Sequence, residues 1–184
     1  MYNVQKYYVK YHCMTHAYLL TGKPGSGKTT IIKDVLLKTS KSAGGFYTEE
    51  IRLDGIRQGF RIMTLQGQEG ILASISIHGC YRVGKYGVNV SSIDEIACKA
   101  VTKAINSCDV VVIDEIGKME LFSASFKEAV ISALESNKKV LGTIIFSPHP
   151  WADKIKQRSG VTLTLVTRDN HEQIAAQILG WLES

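Results

Sequence analysis

The chain has 184 residues, of which 45% are hydrophobic and 21% are charged. This length suits one domain whose core needs no disulfide or metal to hold it together, and the composition excludes a disordered chain. The sequence lacks the run of roughly 20 apolar residues that a membrane-spanning helix requires, and its polar, tyrosine-rich start is unlike a signal peptide.

The net charge of +5 gives little support for a nucleic-acid partner. Two of these charges, Lys6 and Lys10, lie in the first sixteen residues, and no dense basic run follows. Nucleic-acid-binding domains concentrate basic residues on one face, so nucleic acid is not the favoured partner. A phosphorylated small substrate or ordinary solubilising charge explains the excess at least as well.

The cysteines show neither a disulfide framework nor a zinc-binding pattern. Cys13, Cys80, Cys98 and Cys108 form no C-x-x-C pair, and no histidine stands at zinc-finger spacing from them. This usage predicts reduced thiols in a cytoplasmic protein. His78, His149 and His171 are isolated in the sequence, and each is interpreted as a surface or capping residue.

The chain is predicted to consist of an N-terminal extension, 1–16, and a single domain, 17–184. The extension is expected to be poorly ordered, with an edge strand or a docking arm as the alternative. Within the domain, apolar strands alternate with amphipathic helices. Strands are predicted at 17–21, 110–113, 140–146 and 161–166, and helices at 28–39, 93–106, 123–136, 150–158 and after Asn170, which is expected to cap the last one. This alternation predicts an α/β fold in which helices wrap a mostly parallel central sheet.

An antiparallel insertion of two to four strands is predicted after the first helix, at 46–76. Gly44 and Gly45 are expected to close the preceding unit, and Asp54-Gly55 is a strong hairpin-turn signal. Residues 79–90 are interpreted as an irregular loop. Ser92 and Glu95 have the spacing of a capping box at the start of the next helix.

The first motif with a chemical meaning is a phosphate-binding loop at 22–29, G-K-P-G-S-G-K-T. It matches the Walker A pattern at every fixed position and lies between a predicted strand and a predicted helix. Glycines let the backbone wrap an anion, and the following helix adds its positive end. In this pattern Lys28 reaches the β- and γ-phosphates, Thr29 offers its hydroxyl to Mg²⁺, and Thr30 lies near the α-phosphate. The nucleotide-binding residues predicted here are Gly22, Lys23, Pro24, Gly25, Ser26, Gly27, Lys28, Thr29 and Thr30.

A pair of acids, Asp114 and Glu115, follows the apolar run 110–113. The carboxyl ends of parallel strands meet at the ligand crevice, so both acids are expected near the phosphates. Asp114 suits the magnesium shell, and Glu115 suits the positioning or deprotonation of an attacking water. An adjacent glutamate favours hydrolysis over transfer to a bound acceptor.

Phosphoryl transfer usually requires a second cation besides the Walker A lysine. The candidates are Lys118, Lys85, Arg57, Arg61, Arg82 and Arg158. Lys118 is preferred because it lies three residues after Glu115. A monomer or a weak homo-oligomer is expected, since a cation supplied in cis needs no second subunit.

Five strings together resemble the cancer-related nucleoside-triphosphatase family, which includes proteins of thermophilic bacteria and archaea. They are G-K-P-G-S-G-K-T-T (22–30), G-G-F-Y-T-E-E-I-R (44–52), R-Q-G-F (57–60), V-G-K-Y-G-V (83–88) and D-E-I-G-K-M-E-L (114–121). The phosphate loop alone is generic, whereas 45–52 and 114–121 are much more specific. The resemblance covers about residues 17–183.

This resemblance implies a RecA-like P-loop NTPase fold and Mg²⁺-dependent hydrolysis of nucleoside triphosphates to diphosphate and phosphate. The turnover is expected to be slow and the base selectivity low. On matching positions, 22–29 are the phosphate and metal site, Asp114 is the metal-side acid and Glu115 is the catalytic base. Tyr47, Glu49, Arg57, Lys85, Tyr86 and Lys118 also match family positions without an assigned role.

One departure from the family pattern affects the base side of the site. Family members often carry a Thr-x-x-Asn-Arg string before the last helix, and here Thr167 and Asn170 are kept while His171 stands in place of the arginine. Asn170 is therefore implied as a nucleotide-binding residue, and the other base contacts are left open. A nucleotide or nucleoside kinase and a nucleic-acid-associated ATPase remain the alternative functions.

Overall fold

The computed structural model describes residues 16–184, and its strands form one nine-stranded sheet. In chain order the strands are β1 (Ala17–Thr21), β2 (Ala43–Leu53), β3 (Ile56–Thr64), β4 (Glu69–Ser74), β5 (Arg82–Val83), β6 (Tyr86–Val88), β7 (Val110–Ile116), β8 (Lys139–Ile144) and β9 (Val161–Leu165). The extension predicted for 1–16 lies outside the described residues except for His16, whose backbone N–H donates to Gly160.

Helices follow or precede most of these strands. They are α1 (Lys28–Leu36), α2 (Val90–Ser92), a π-helical segment (Ile93–Cys98), α3 (Lys99–Ser107), a 3-10 turn (Glu120–Phe122), α4 (Ala124–Glu135), α5 (Pro150–Lys156) and α6 (His171–Glu183). None of the helices within 16–184 combines the length and apolar character needed to cross a bilayer. The cysteines in this part of the chain, Cys80, Cys98 and Cys108, are free thiols.

The sheet has a parallel half and an antiparallel half. Its strand order is β5-β6-β4-β3-β2-β7-β8-β1-β9. The neighbouring strands β7, β8, β1 and β9 are parallel to one another and to the first part of β2. The strands β2, β3, β4, β6 and β5 pair antiparallel in that order. The predicted α/β fold, with helices flanking a central sheet, is confirmed.

The core lies on both faces of the sheet, as the continuous apolar character of β7 predicts. Val111 and Ile113 pack with the side chains of α3 and α4, whereas Val110 and Val112 pack with those of α1 and α6. All four are fully buried, and each contributes about 1.5–3 kcal/mol of hydrophobic stabilisation. The carboxyl end of β7 is thereby held in a rigid setting.

The interpretation of Gly44 and Gly45 as the end of the first β–α unit is wrong. Both glycines lie inside β2, whose residues Ala43–Tyr47 pair parallel with β7 before the strand continues into the antiparallel hairpin. Gly45 has φ of +117°, and a Cβ there would stand 2.0 Å from the carbonyl oxygen of Val112. A glycine is needed at this position because the backbones of β2 and β7 approach closely. In the sequence, a pair of glycines is equally typical of a turn.

The interpretation of 79–90 as an irregular loop is also wrong. Strands β5 and β6 form a hairpin around Gly84 and Lys85, and helical structure already begins at Val90. The predicted capping box is replaced by Asn89, whose side chain accepts a hydrogen bond from the backbone N–H of Ser92 at 3.2 Å. The true cap was missed because the apolar periodicity begins only at Ile93, three residues inside the helical run.

Several predicted boundaries move by a few residues. β7 extends beyond 113 to Ile116 and thus includes both acids of the Asp-Glu pair. β8 ends at Ile144 instead of 146, and α1 ends at Leu36 instead of 39. The hairpin turn at Asp54-Gly55 is confirmed, with positive φ angles of 48° and 77°.

Candidate active site

A cleft of about 720 Å³ lies at the carboxyl end of the parallel strands. One side is formed by the loop after β1, the end of β7 and the end of β8. The other side is formed by the antiparallel half of the sheet. Among the predicted site residues, the structure brings to this cleft Gly22, Pro24, Gly25, Gly27, Lys28, Thr29, Thr30, Glu115 and Lys118, whereas Lys23, Ser26, Asp114 and Asn170 do not line it.

The phosphate-binding loop joins β1 directly to α1, as its sequence predicts. Gly27 adopts φ of +84° at the N-cap of α1 and so turns the chain into the helix. The Lys28 ammonium donates to the carbonyl oxygens of Gly22 and Lys23, both at 3.2 Å. Lys28 therefore folds back over its own loop, where the positive end of α1 adds to its charge.

Asp114 lies beneath the cleft, at the level where β7 and β8 pair. It is 1% exposed, it stands opposite Thr143 in the sheet register, and its Oδ2 has no hydrogen-bond partner among the described residues. Burial raises the pKa of Asp114, while the hydroxyls of Thr29 and Thr143 and the charge of Lys28 oppose that rise. A buried carboxylate oxygen without a partner is costly, and it fits a cation ligand. Thr143, which also lines the cleft, was missed in the sequence because a lone threonine carries no signal.

Glu115 lies on the opposite side of the strand from Asp114, as strand geometry requires. Its side chain is open to solvent through the cleft. Partial removal from water, followed by the negative charge of Asp114, nevertheless raises the pKa of Glu115. The positive charge of Lys28 opposes this shift. A carboxylate with a raised pKa is a stronger base toward a water molecule in the same cleft.

Glu120 is a third acid of the site, and sequence reasoning gave it no role. It is 2% exposed, and its Oε2 accepts a hydrogen bond from the backbone N–H of Gly117 at 3.1 Å. Glu115 Oε1 and Glu120 Oε2 each lie 2.8 Å from the point that a Cβ on Gly117 would occupy, so the two carboxyl groups are neighbours. Burial, followed by the charge of Glu115, raises the pKa of Glu120 well above its ordinary value. Its place in the string 114–121 was the available signal.

We expect Glu120→Gln to raise the free energy of unfolding at neutral pH by about 1–3 kcal/mol. The pKa of Glu120 is higher in the folded protein than in the unfolded protein, where it is about 4.5. As the pH rises above 4.5, the unfolded protein releases this proton first, and the folded protein therefore becomes less stable. Glutamine still accepts the hydrogen bond from Gly117 but does not ionise. Urea unfolding across the pH range above 4.5 tests this.

The control for this experiment is Glu128→Gln, because Glu128 is exposed on α4. Its stability is expected to follow that of the wild type at every pH. If Glu120→Gln loses stability with rising pH as steeply as the control does, the buried carboxyl is not the cause of the decline.

The structure separates the six candidate cations into two groups. Lys118 and Arg57 line the cleft. Outside it, Arg61 pairs with Glu49 and Glu69, and Arg158 pairs with Glu135. The guanidinium of Arg82 donates to the carbonyl oxygen of Lys85, and the ammonium of Lys85 lies 5.5 Å from the centre of the Tyr86 ring.

Asn170 takes the N-cap position predicted for it, but its side chain does not bond to the helix. Its Oδ1 accepts from the N–H of Thr167 at 2.9 Å and its Nδ2 donates to the carbonyl of Leu165 at 3.0 Å. The Asn170 side chain thus stabilises the turn 166–170. This turn brings the backbone groups of Leu165 and Thr167 within its reach, in place of the N–H groups of the helix.

The interpretation of His171 as a surface or capping residue is wrong. Its Nε2 lies 2.5 Å from the carbonyl oxygen of Ser26, and its Cε1 stands 2.2 Å from the point that a Cβ on Gly27 would occupy. The ring therefore packs directly on the phosphate-binding loop. No sequence pattern predicts this contact, because 145 positions separate the two residues.

Comparison with known proteins identifies the family. A family model described as NTPase matches residues 17–179. The chain belongs to the NTPase family. Nucleoside-triphosphatase THEP1 from Thermotoga sp. (strain RQ2) is 46% identical over 165 residues, which are 90% of this chain and 94% of that protein. The cancer-related nucleoside-triphosphatase homolog from Mus musculus is 37% identical in an alignment of 187 positions that covers 93% of this chain and 98% of that protein.

Solved structures of the NTPase family share the same architecture. The crystal structure of THEP1 from the hyperthermophile Aquifex aeolicus superimposes with a TM-score of 0.84 at 38% identity, covering 91% of this chain and 99% of that one. The predicted family, P-loop NTPase fold and enzyme class are therefore confirmed.

Proposed function

We propose that this NTPase-family protein hydrolyses nucleoside 5′-triphosphates to diphosphate and phosphate, with Mg²⁺, slow turnover and little preference for the base. One observation carries the proposal. The carboxylate of Glu115 is open to solvent in the same cleft as Lys28 and Thr29, directly after the buried Asp114. This arrangement supports the assignment of Glu115 as a base for water beside a triphosphate site.

The phosphate loop, 22–30, would bind the triphosphate. Its backbone N–H groups and the N-terminus of α1 supply positive potential at no cost in reorganisation. Lys28 would leave the carbonyls of Gly22 and Lys23 to bind the β- and γ-phosphates. Asn170 would support the base side indirectly, by fixing the turn after β9.

Asp114 and Thr29 are the residues that would hold Mg²⁺. Two observations support this assignment. Oδ2 of Asp114 has no hydrogen-bond partner among the described residues, and the Asp114 carboxyl group interacts with the hydroxyl of Thr29. No group of three or more acidic, histidine or cysteine side chains suited to a metal occurs in residues 16–184, and Mg²⁺ commonly takes only one or two protein ligands besides phosphate and water. When bound, the ion neutralises charge on the phosphates.

The remaining steps belong to the chain's own side chains. Glu115 would orient a water molecule toward the γ-phosphorus and accept its proton. Lys28 and Lys118 would offset the negative charge that develops on the γ-phosphoryl oxygens. Because Lys118 comes from the same cleft as Glu115, this scheme needs no second subunit, in keeping with a monomer or a weak homo-oligomer.

Low base selectivity is supported by the relatives, whose names specify nucleoside triphosphates without a particular base. A cytoplasmic location and the absence of a nucleic-acid partner remain predictions from the cysteine usage and the mild net charge.

The proposal is tested by phosphate release from ATP, GTP, CTP and UTP with Mg²⁺ and no acceptor. We expect release from all four at rates near or below the lower end of the usual range for enzymes, about 1 per second. EDTA is expected to abolish it. Tight nucleotide binding without phosphate release would contradict the proposal, and an acceptor-dependent kinase would then be favoured.

A further inference from the structure

One wall of the cleft is built mainly by the antiparallel half of the sheet. This wall includes Phe60 of β3, Leu72 of β4 and Val83 of β5, together with Met119, Glu50 and Arg57. In the proposed hydrolysis the attacking water needs only Glu115 and the γ-phosphate, and the base side of the triphosphate is assigned to the turn after β9, so neither makes use of this wall. A large apolar and cationic surface inside a catalytic cleft therefore needs its own explanation.

Arg57 is the cationic element of this wall. Its guanidinium pairs with Glu50 and lies 5.3 Å from the centre of the Phe60 ring. Its Nε is buried and has no hydrogen-bond partner among the described residues. A buried guanidinium N–H without an acceptor costs free energy, so this atom points to an acceptor supplied by a ligand.

The charges around Arg57 leave a net positive charge. Glu50 is shared between Arg57 and Arg52, the latter at 2.6 Å, so two guanidinium groups face one carboxylate. The neighbouring Glu49, which also lines the cleft, is occupied by Lys33 and Arg61. An anionic group is therefore favoured at Arg57, and the planar fork of arginine matches the oxygens of a phosphate.

The apolar element is an aromatic face beside this charge. Phe60 is half-buried, and its ring meets that of Tyr86 edge-on at 5.3 Å, which fixes its orientation. Val83 of β5 is half-buried and lines the same cleft. An aromatic ring and a branched aliphatic side chain in one cleft suit the apolar faces of a flat ring.

We propose that this wall of the cleft binds a second small molecule that joins a phosphate to a planar ring, as a nucleoside monophosphate does. Arg57 binds the phosphate through its unpartnered Nε, while its Nη2 stays paired with Glu50. Phe60 and Val83 contact the ring. The second molecule is bound together with the triphosphate, because the phosphate loop lines the same cleft with a different set of residues.

The test is a binding titration of AMP, GMP and UMP in the presence of saturating Mg²⁺ and a non-hydrolysable ATP analogue. We expect a nucleoside monophosphate to bind to the analogue-loaded protein. Arg57→Gln should weaken that binding about 10- to 100-fold, since it removes a charge-assisted contact. Ribose 5-phosphate and the free nucleosides, which each lack one half of the recognised chemistry, should bind much more weakly.

The matched control is Arg158→Gln, which changes an arginine that lies outside the cleft and pairs with Glu135. Its monophosphate affinity should equal that of the wild type. Arg57→Lys provides a milder variant that keeps the charge but loses the fork, with an intermediate loss expected. The affinity of each variant for the ATP analogue, measured first, shows that the fold and the triphosphate site are intact.

Three results would overturn the proposal. The first is the absence of monophosphate binding to the analogue-loaded wild type. The second is equal binding by Arg57→Gln. The third is binding only when the analogue is left out, which would place the monophosphate in the phosphate loop. Because phosphate release is measured separately, each of these results leaves the proposed hydrolysis standing.

Discussion

Replacement of Glu115 by glutamine is expected to slow phosphate release by roughly 10²- to 10⁴-fold. Glutamine has nearly the same shape but cannot accept a proton from water. The carboxylate that it replaces is open to the cleft and has a raised pKa, which makes it a stronger base than an ordinary glutamate. Single-turnover release from Mg²⁺-ATP, which excludes product dissociation, is the measurement.

The affinity for nucleotide distinguishes a catalytic from a structural effect of this change. Glu115→Gln should bind ATP about as tightly as the wild type, or more tightly, because a negative charge near the γ-phosphate is removed. The exposed Glu128 on α4 again supplies a control, since Glu128→Gln is expected to leave turnover unchanged. Unaltered turnover in Glu115→Gln would refute its assignment as the base.

The second large effect is expected in the fold, at Gly45. Gly45→Ala should lower the free energy of unfolding by about 3 kcal/mol or more, through backbone strain and overpacking together. The φ of +117° is one that side chains rarely adopt, and a Cβ would stand 2.0 Å from the carbonyl oxygen of Val112. Because that neighbour is sheet backbone, β2 and β7 would have to separate. Urea unfolding measures the change.

Gly55→Ala is the matched control for this prediction. Gly55 also has a positive φ, 77°, but a Cβ there meets nothing within 4 Å. Only the conformational cost remains, so a loss of about 1–2 kcal/mol is expected. Equal losses at the two positions would show that the close approach of β2 to β7 does not require glycine.

Features that depend on neighbouring residues were predicted well from the sequence. The phosphate loop needs a strand, a glycine-rich turn and a helix in immediate succession, and all three lie within 17–36. The Asp-Glu pair follows from one apolar run, and the Asp54-Gly55 turn from two residues. Where a short signal was ambiguous the prediction was wrong, as at Gly44 and Gly45, because a glycine pair fits a chain turn as well as a tight strand contact.

The chemical elements of this protein can be predicted from its residues alone. They are a triphosphate-binding loop, an acidic pair at the end of a buried strand, and the alternation of strands and helices that brings them to one edge of a sheet. Which further side chains meet there depends on how the chain folds. Glu120 lies beside Glu115, His171 lies on the phosphate loop, and Arg57 lines the same cleft. The periodic patterns of a sequence reflect hydrogen bonding and burial within one helix or strand. These contacts depend on how elements far apart in the chain pack together, and such packing produces no periodic pattern in the sequence.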